Sequence, residues 1–475
     1  MRESPVVVVG AGYVGLTLGL FMASRRVPVL VVDIDEQKVE RLQRGDSTMY
    51  EANLQEALTT ALASGFLNFS THAPARGARH WFIAVPYIPS ELSEQDTAAR
   101  YLESLKLIRG DGSAAPVIMI RSTVPIGFTR SKIIPRLTQL FSKPVDAGFF
   151  LSVCPERTLT GVAIQELAAM PQLIGGSPAS VAETLPLFER CGVSPIVLEQ
   201  YEAAELGKSI CNLSRLSQFN LANFFGLCCE AFGINAPALL KALSLHYPRL
   251  QLSVPGPGIG GSCLPKDSLV LTDGLNAALD ADPTVASTAR EVWTFPRQQF
   301  LMNEHVIAYT AQAAVDFVTA DASSTIGSPA GADSPSPRAA RSPVLALGIA
   351  FKGVPRTDDT RNSVGLKIVE ALKRSGIDVR VFDVSVHAPA VQKLGFTPAS
   401  LPIDPIAYSS ILLLNNDPGY LEVLQSGLSP DAAGTVNLFD PWRLLADTST
   451  VFARAVPFAR LAQQLRPGAQ PAYTT

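Results

Sequence analysis

The sequence predicts an α/β fold, with two parallel-sheet domains joined by a long central helix. Short apolar runs alternate with helical patterns through residues 1–200, and a strand–helix–strand pattern returns after residue 343. Between them, one helical run from Tyr201 to Phe232 has few breakers. Alternating strands and helices favour a parallel sheet with helices on both faces.

In order, Val6–Val9 is the first strand, Val14–Ser24 a helix, Val29–Val32 the second strand and Glu36–Arg44 the next helix. Trp81–Val85 and Val117–Ile120 continue the same sheet. A Pro/Gly-rich stretch, Ser253–Pro265, follows the central helix. Residues 311–343 are rich in Ala, Ser and Pro with no useful period, and are expected to form a flexible insertion. Val344–Ile349 is then a strand, Gly365–Ser375 a helix and Val379–Phe382 a strand, with further strands near Ile411–Leu414 and Val436–Leu438. The expected boundaries are 1–200, 201–310, 311–343 and 344–475.

Composition narrows the function. The 475 residues carry a net charge of −3, with 47% apolar and 17% charged residues. Such a chain is neither disordered nor a basic nucleic-acid binder. Six cysteines are too sparse for a disulfide framework, so a reduced, cytoplasmic setting is expected. No CxxC pair or HExxH pattern occurs, and no metal site is expected. Pro5–Ser24 is apolar enough to suggest a membrane anchor. Its three glycines in six residues, followed by Arg25, Arg26 and a second strand, fit a strand–turn–helix instead.

Gly10-Ala11-Gly12-Tyr13-Val14-Gly15 follows a strand and opens a helix, the fingerprint of a dinucleotide site. The glycines permit a tight turn and close approach of a pyrophosphate to the helix N-terminus. Asp33 closes the second strand, where a carboxylate binds a ribose 2′-hydroxyl and repels a 2′-phosphate. The expected cofactor is NAD.

Gly260-Gly261-Ser262-Cys263-Leu264-Pro265-Lys266-Asp267 places a thiol in a polar loop beside a cation. A free thiol has a pKa of about 8.5, and a nearby cation raises its thiolate fraction. Cys263 is therefore a candidate nucleophile, whereas Cys228 and Cys229 sit in apolar surroundings and suit a core. Lys208 and Asn212, at i and i+4, share a face of the central helix. Together they could hold an oxyanion; equally, Glu205 could pair with Lys208 on a solvated face. Glu156, in Cys154-Pro155-Glu156-Arg157, sits where a general base could act, although an ordinary Glu–Arg surface pair explains it as well.

Taken in order, these stretches resemble the nucleotide-sugar 6-dehydrogenase family, the dehydrogenases of UDP-glucose, GDP-mannose and UDP-N-acetylhexosamines. The likeness covers GAGYVGL, Arg121-Ser122-Thr123-Val124-Pro125-Ile126-Gly127, CPER, Ala204–Asn212, GGSCLPKD, and Ala350-Phe351-Lys352 with Asp359-Thr360-Arg361. It implies two Rossmann-like domains flanking a dimerising helical region, with the active site between domains. It further implies oxidation of a sugar C6 alcohol to a carboxylate with two NAD per turnover, in polysaccharide biosynthesis.

By that resemblance Cys263 carries a thiohemiacetal and then a thioester. Lys208 and Asn212 stabilise the oxyanion, Glu156 serves acid/base steps, and Asp267 with Thr123 positions water. The same likeness assigns NAD contacts to Gly10, Gly12, Tyr13, Val14, Gly15, Asp33, Pro86, Ser122, Thr123 and Lys266. Sugar-nucleotide contacts fall to Arg157, Arg249, Gly260, Lys352 and Arg361, with residues 344–475 holding the nucleotide and a homodimer as the assembly. CPER and the run from His246 to Gly258 resemble the UDP-N-acetyl-D-mannosamine/glucosamine branch, which is the substrate expected. Ser262 and Leu264–Asp267 resemble the UDP-glucose and GDP-mannose branches, which stand as the alternative. A one-step hydroxyacid dehydrogenase would leave Cys263 without purpose, and a non-enzymatic NAD-binding protein would show no turnover.

Overall fold

Four consecutive valines, Val6–Val9, form β1, and all four are buried. A strand covered on both faces needs no polar alternation, so a continuous apolar run marks a parallel sheet. The computed structural model describes all residues except 1–3, 48, 52, 94, 113, 248, 251, 282–288, 321–341, 428–434, 443–452 and 458–475. The chain divides into two units, residues 1–214 with 266–300, and residues 215–265 with 301–475.

In the first unit β1 joins β2 (Val29–Val32), β3 (Leu67–Ser70), β4 (His80–Ile83) and β5 (Val117–Ile120). β6 (Phe150–Val153), β7 (Gln172–Gly176) and β8 (Pro195–Leu198) complete the sheet. The order is β3-β2-β1-β4-β5-β6-β7-β8, parallel throughout except between β6 and β7. Val6, Val8, Val29 and Val31 pack on one face, and Val7, Val9, Ile83 and Ile118 on the other. The strand order reverses between β1 and β4, and such a reversal opens a ligand crevice at the strand C-termini.

The second unit repeats this plan with β9 (Val344–Leu347), β10 (Val379–Phe382), β11 (Thr397–Pro398), β12 (Ser410–Leu413), β13 (Thr435–Phe439) and β14 (Ala453–Pro457). Its order is β11-β10-β9-β12-β13-β14, with only β14 antiparallel to its neighbour. The repeat extends to single atoms. Gly10 and Gly348 both follow the first strand with φ near +104° and +103°, a conformation that favours glycine. A Cβ on Gly15 would fall 1.8 Å from Gly10 O, and one on Gly365 2.3 Å from Gly348 O. In each unit the acid after the second strand ties down the first turn: Asp33 accepts from Ala11 N, and Asp383 from Ile349 N and Ala350 N.

Helix α1 (Tyr13–Ser24) follows the first glycine turn. One long helix, Tyr201–Ala231, runs from the first unit into the second, one residue short of the expected end. The 311–343 insertion requires a correction. The helix Phe295–Thr319 takes up its first nine residues, because Ala311, Ala313, Val315 and Phe317 pack against the second unit's core. Residues 321–341 lie outside the described part.

Candidate active site

At the end of β1 the helix α1 begins with Gly12 as N-cap, without a side-chain cap and without an acidic residue in its first turn. Its first N–H groups are therefore open to an anion. A Cβ on Gly12 would meet no atom within 4 Å, so no packing contact of the protein requires glycine there. A pyrophosphate crossing the helix end does require it. Asp33 accepts from Ala11 N at 2.7 Å and Lys38 Nζ at 3.1 Å on one oxygen, and from Asp35 N at 3.0 Å on the other. That leaves one acceptor site for a ribose hydroxyl. Asp383, by contrast, spends both oxygens on four backbone N–H groups. Only the first unit keeps the acid open, and the residues of the β1 crevice fit NAD.

Among the other expected cofactor contacts, Val14 lies in the first turn of α1, and Pro86 is exposed just beyond β4. Ser122 is buried and turns its hydroxyl to the carbonyls of Ile83 and Val85, bracing the chain before Pro86. Tyr13 donates to Glu51, which also accepts from Gly161 N at 2.7 Å and Ile164 N at 3.3 Å. Burial, then Glu51, push the Tyr13 hydroxyl far above its ordinary range, so it stays a neutral donor.

Lys208, Asn212 and Asp267 are all buried in the first unit. Asn212 Nδ2 donates to Asp267 Oδ2 at 2.5 Å, and Lys266 Nζ stands 2.7 Å from Asp267 Oδ1. Asp267 lies in the first turn of the helix Leu264–Ala281, where a carboxylate suits the helix dipole. The alternative role for Lys208 is excluded. Glu205 accepts instead from Gly127 N at 2.6 Å and Thr129 N at 2.9 Å. Among the described residues Lys208 Nζ has no hydrogen-bond or ion-pair partner. Its charge acts on the nearby Glu156 carboxylate. Thr123 is half-buried, with no hydrogen bond among the described residues.

Nor is Glu156 a surface residue. It is buried at the exit of β6 and paired with Arg121, which is itself 1% exposed at the exit of β5. Its other oxygen accepts from Arg157 N and Thr158 N, both at 2.8 Å. Burial pushes its pKa up, but the Arg121 guanidinium, the Thr158 bond and the Lys208 charge pull harder and hold it below the usual carboxylate range. Arg157 turns its own guanidinium to Pro171 O.

In the second unit the Gly260-Gly261 turn is clamped to the chain after β9. A Cβ on Gly260 would lie 2.8 Å from Asn362 O, and one on Gly261 2.8 Å from the Phe351 ring. Gly261 N and O also bond to Asn362, each at 3.2 Å. This brings Lys352, Arg361 and the exposed Cys263 onto one loop cluster. Arg361 chelates Asp359, which raises its pKa most; burial opposes this, and the charges of Asp359 and then Cys263 add to the rise. Lys266 is engaged by Asp267, and Arg361 is a cation near Cys263 that sequence proximity did not reveal. Arg249 stands exposed and stacks on Tyr247 at 4.8 Å.

Arg121 and Glu51, to which the sequence assigns no role, bond to the candidate site residues Glu156 and Tyr13. The signal for Arg121 was present: a full charge directly ends the wholly apolar strand Val117–Ile120. Glu51 gave none, since its partners lie far along the chain.

Comparison with known proteins supplies the frame for this geometry. Residues 4–190 match the NAD binding domain model of the UDP-glucose/GDP-mannose dehydrogenase family, 202–293 its central domain and 345–429 its UDP binding domain. A UDP-N-acetyl-D-mannosamine dehydrogenase of Escherichia coli K12 is 28% identical over 443 residues, covering 89% of this chain and 96% of its own. One from Pyrococcus horikoshii is 28% identical over 384 residues, covering 80% and 84%. The solved structure of the Pyrococcus horikoshii enzyme shares the fold, with a TM-score of 0.72 at 24% identity, over 92% of this chain and 95% of that one.

Proposed function

We propose a specific reaction for this chain, which belongs to the UDP-glucose/GDP-mannose dehydrogenase family of NAD-dependent nucleotide-sugar dehydrogenases: oxidation of a UDP-N-acetylhexosamine at C6 to the uronate. The observation that supports it best is Lys208, 8% exposed and one helical turn from Asn212, whose amide donates to Asp267. A fixed cation and amide suit an oxyanion that develops at a tetrahedral carbon.

Bound NAD, held by the Gly10–Gly15 turn and Asp33, supplies the oxidant. Loss of one hydride from the C6 alcohol, to a first NAD, gives the aldehyde. Cys263 adds to it as a thiohemiacetal, and loss of a second hydride, to a second NAD, leaves the thioester on its sulfur. Lys208 and Asn212 stabilise the oxyanion of the adduct. Asp267, which already accepts from Asn212, orients that amide and, with Thr123, water. Glu156, held as a carboxylate, takes the proton from water that cleaves the thioester. Lys352 and Arg361 meet the nucleotide phosphates.

The N-acetylhexosamine substrate rests on the mannosamine relatives and the CPER segment. A glucose or mannose substrate is favoured only by Ser262 and Leu264–Asp267. NADH formed per sugar consumed, with UDP-glucose, the UDP-N-acetylhexosamines and GDP-mannose, tests the reading. Two NADH and one preferred acetamido sugar are expected. Full turnover by Cys263→Ala would refute it.

The assembly proposed is a homodimer through the second unit. Phe225, Phe232, Ile234, Leu239 and Leu243 line a wholly apolar groove, and Phe232 is 81% exposed. Exposed apolar surface of this kind is characteristic of interfaces. Phe232→Asp should sediment as a monomer where the parent sediments as a dimer.

A further inference from the structure

Arg121 is the most deeply buried charge near the candidate site, at 1% exposure. Its guanidinium makes three contacts: with Glu156, with Gln172 on β7, and with Cys154 O at 3.1 Å. Gln172 is held in turn, its amide donating to Leu173 O at 2.7 Å and Pro155 O at 3.2 Å. The chain of contacts thus runs from β7 through Arg121 to Glu156. Nη1 makes the bonds to Cys154 O and Gln172, and Nη2 the bond to Glu156. The planar guanidinium is thus fixed on one edge while it holds the carboxylate from the other nitrogen.

We propose that Arg121, oriented by Gln172, is the positioning residue that fixes Glu156 as a permanently charged base. The proposal rests on the role given to Glu156 above. Its physical content is a competition. Burial alone favours the neutral acid, and a buried carboxyl without a cation would be protonated well into the neutral range. The charged and titratable groups facing Glu156 are the cations Arg121 at the end of β5 and Lys208 on the long helix, and the neutral Tyr13 hydroxyl on α1. Arg157 contributes its backbone N–H, with its guanidinium turned to Pro171 O. Of the two cations Arg121 acts more strongly, and only Arg121 is bonded to the carboxylate. Lys208 is left free for the substrate.

The test is the pH dependence of kcat for NADH formation, with the protonation of Glu156 read separately by 13C-carboxylate NMR against Glu156→Gln. Arg121→Met should move the acid limb upward by about one pH unit or more, while KM for NAD stays within about twofold. Arg121→Lys restores a charge but not the fork. Its limb should return toward that of the parent while kcat remains depressed. Gln172→Met should move the limb in the same direction by less, and decides the matter if Arg121→Met does not fold. An unmoved limb and unmoved carboxyl titration in the folded variants would overturn the proposal. If the parent protein oxidises no nucleotide sugar, the reaction assigned above fails, whereas the NMR titration still decides the role of Arg121.

Discussion

Asn212 Nδ2 donates to Asp267 Oδ2 at 2.5 Å, so an amide on the long helix is oriented by a carboxylate in the first turn of the helix Leu264–Ala281. An amide offers two N–H groups, and one is taken. The other remains beside Lys208, one helical turn away, where the proposed reaction puts the oxyanion.

This arrangement predicts unequal effects of removing charge and removing shape. Lys208→Met should lower kcat about 10²- to 10³-fold, the range seen when one oxyanion donor is removed. Its melting temperature should stay close to that of the parent, because Lys208 makes no hydrogen bond or ion pair among the described residues. Lys208→Arg should fail to rescue turnover, since a planar fork does not occupy the place of a compact ammonium. Steady-state kinetics and a thermal melt on the same preparations check both halves.

Two glycines of a single motif should give opposite phenotypes. Gly15→Ala places its Cβ 1.8 Å from Gly10 O, a backbone atom that cannot yield, so the variant should lose stability or fail to fold. Gly12→Ala meets nothing within 4 Å and should melt with the parent. It should nonetheless bind NAD weakly, because the methyl group stands where the pyrophosphate approaches. Calorimetry of folding and of NAD binding separates the two. Equal binding by Gly12→Ala would remove the cradle from the cofactor site.

How much of this was legible in sequence follows from how local each signal is. Val6–Val9, the glycine turn and Asp33 lie within one βαβ unit, and the strand, the turn and the acid all stand where expected. The Lys208–Asn212 pair is helical spacing and nothing more. Whether Glu205 would claim Lys208 depended on Gly127 and Thr129, which no helix periodicity reports. Arg361 near the thiol depended on the Asn362 clamp to Gly261, a contact between residues a hundred positions apart. The Ala/Ser/Pro composition concealed a helical start to the 311–343 stretch, because small residues that look featureless alone pack well against a sheet.

The thiols should separate by environment under alkylation. Cys263 is exposed and should react first. Burial pushes the Cys154 thiol up to about 12 and that of Cys191 up to about 11, against the pull of nearby arginines. At neutral pH both remain thiols, and only thiolate reacts. Mass spectrometry of iodoacetamide-treated protein should find Cys263 modified at times when Cys154 and Cys191 are intact, with all three reacting after unfolding. Protection of Cys263 by a UDP-sugar would place that ligand over the thiol.

Asp273, on the helix that begins after Cys263, accepts from Ser90 N at 3.0 Å, Ser90 Oγ at 2.6 Å and Tyr87 OH at 3.2 Å. Tyr87 immediately follows Pro86, so one carboxylate holds the segment that the resemblance assigns to the cofactor. Burial, then the Asp273 charge, keep the Tyr87 hydroxyl protonated far above its ordinary range, so the bond persists at any working pH. Asp273→Ala removes both acceptor oxygens and so all three hydrogen bonds. A hydrogen bond is worth about 0.5–1.5 kcal/mol net, and a loss of that size in loop ordering raises KM for NAD about two- to tenfold. The value of kcat should change little, because Asp273 touches no reacting group. Asp273→Asn, which keeps acceptor oxygen, should recover most of the affinity. If kcat fell with KM unchanged, Asp273 would be supporting the catalytic helix rather than the cofactor segment.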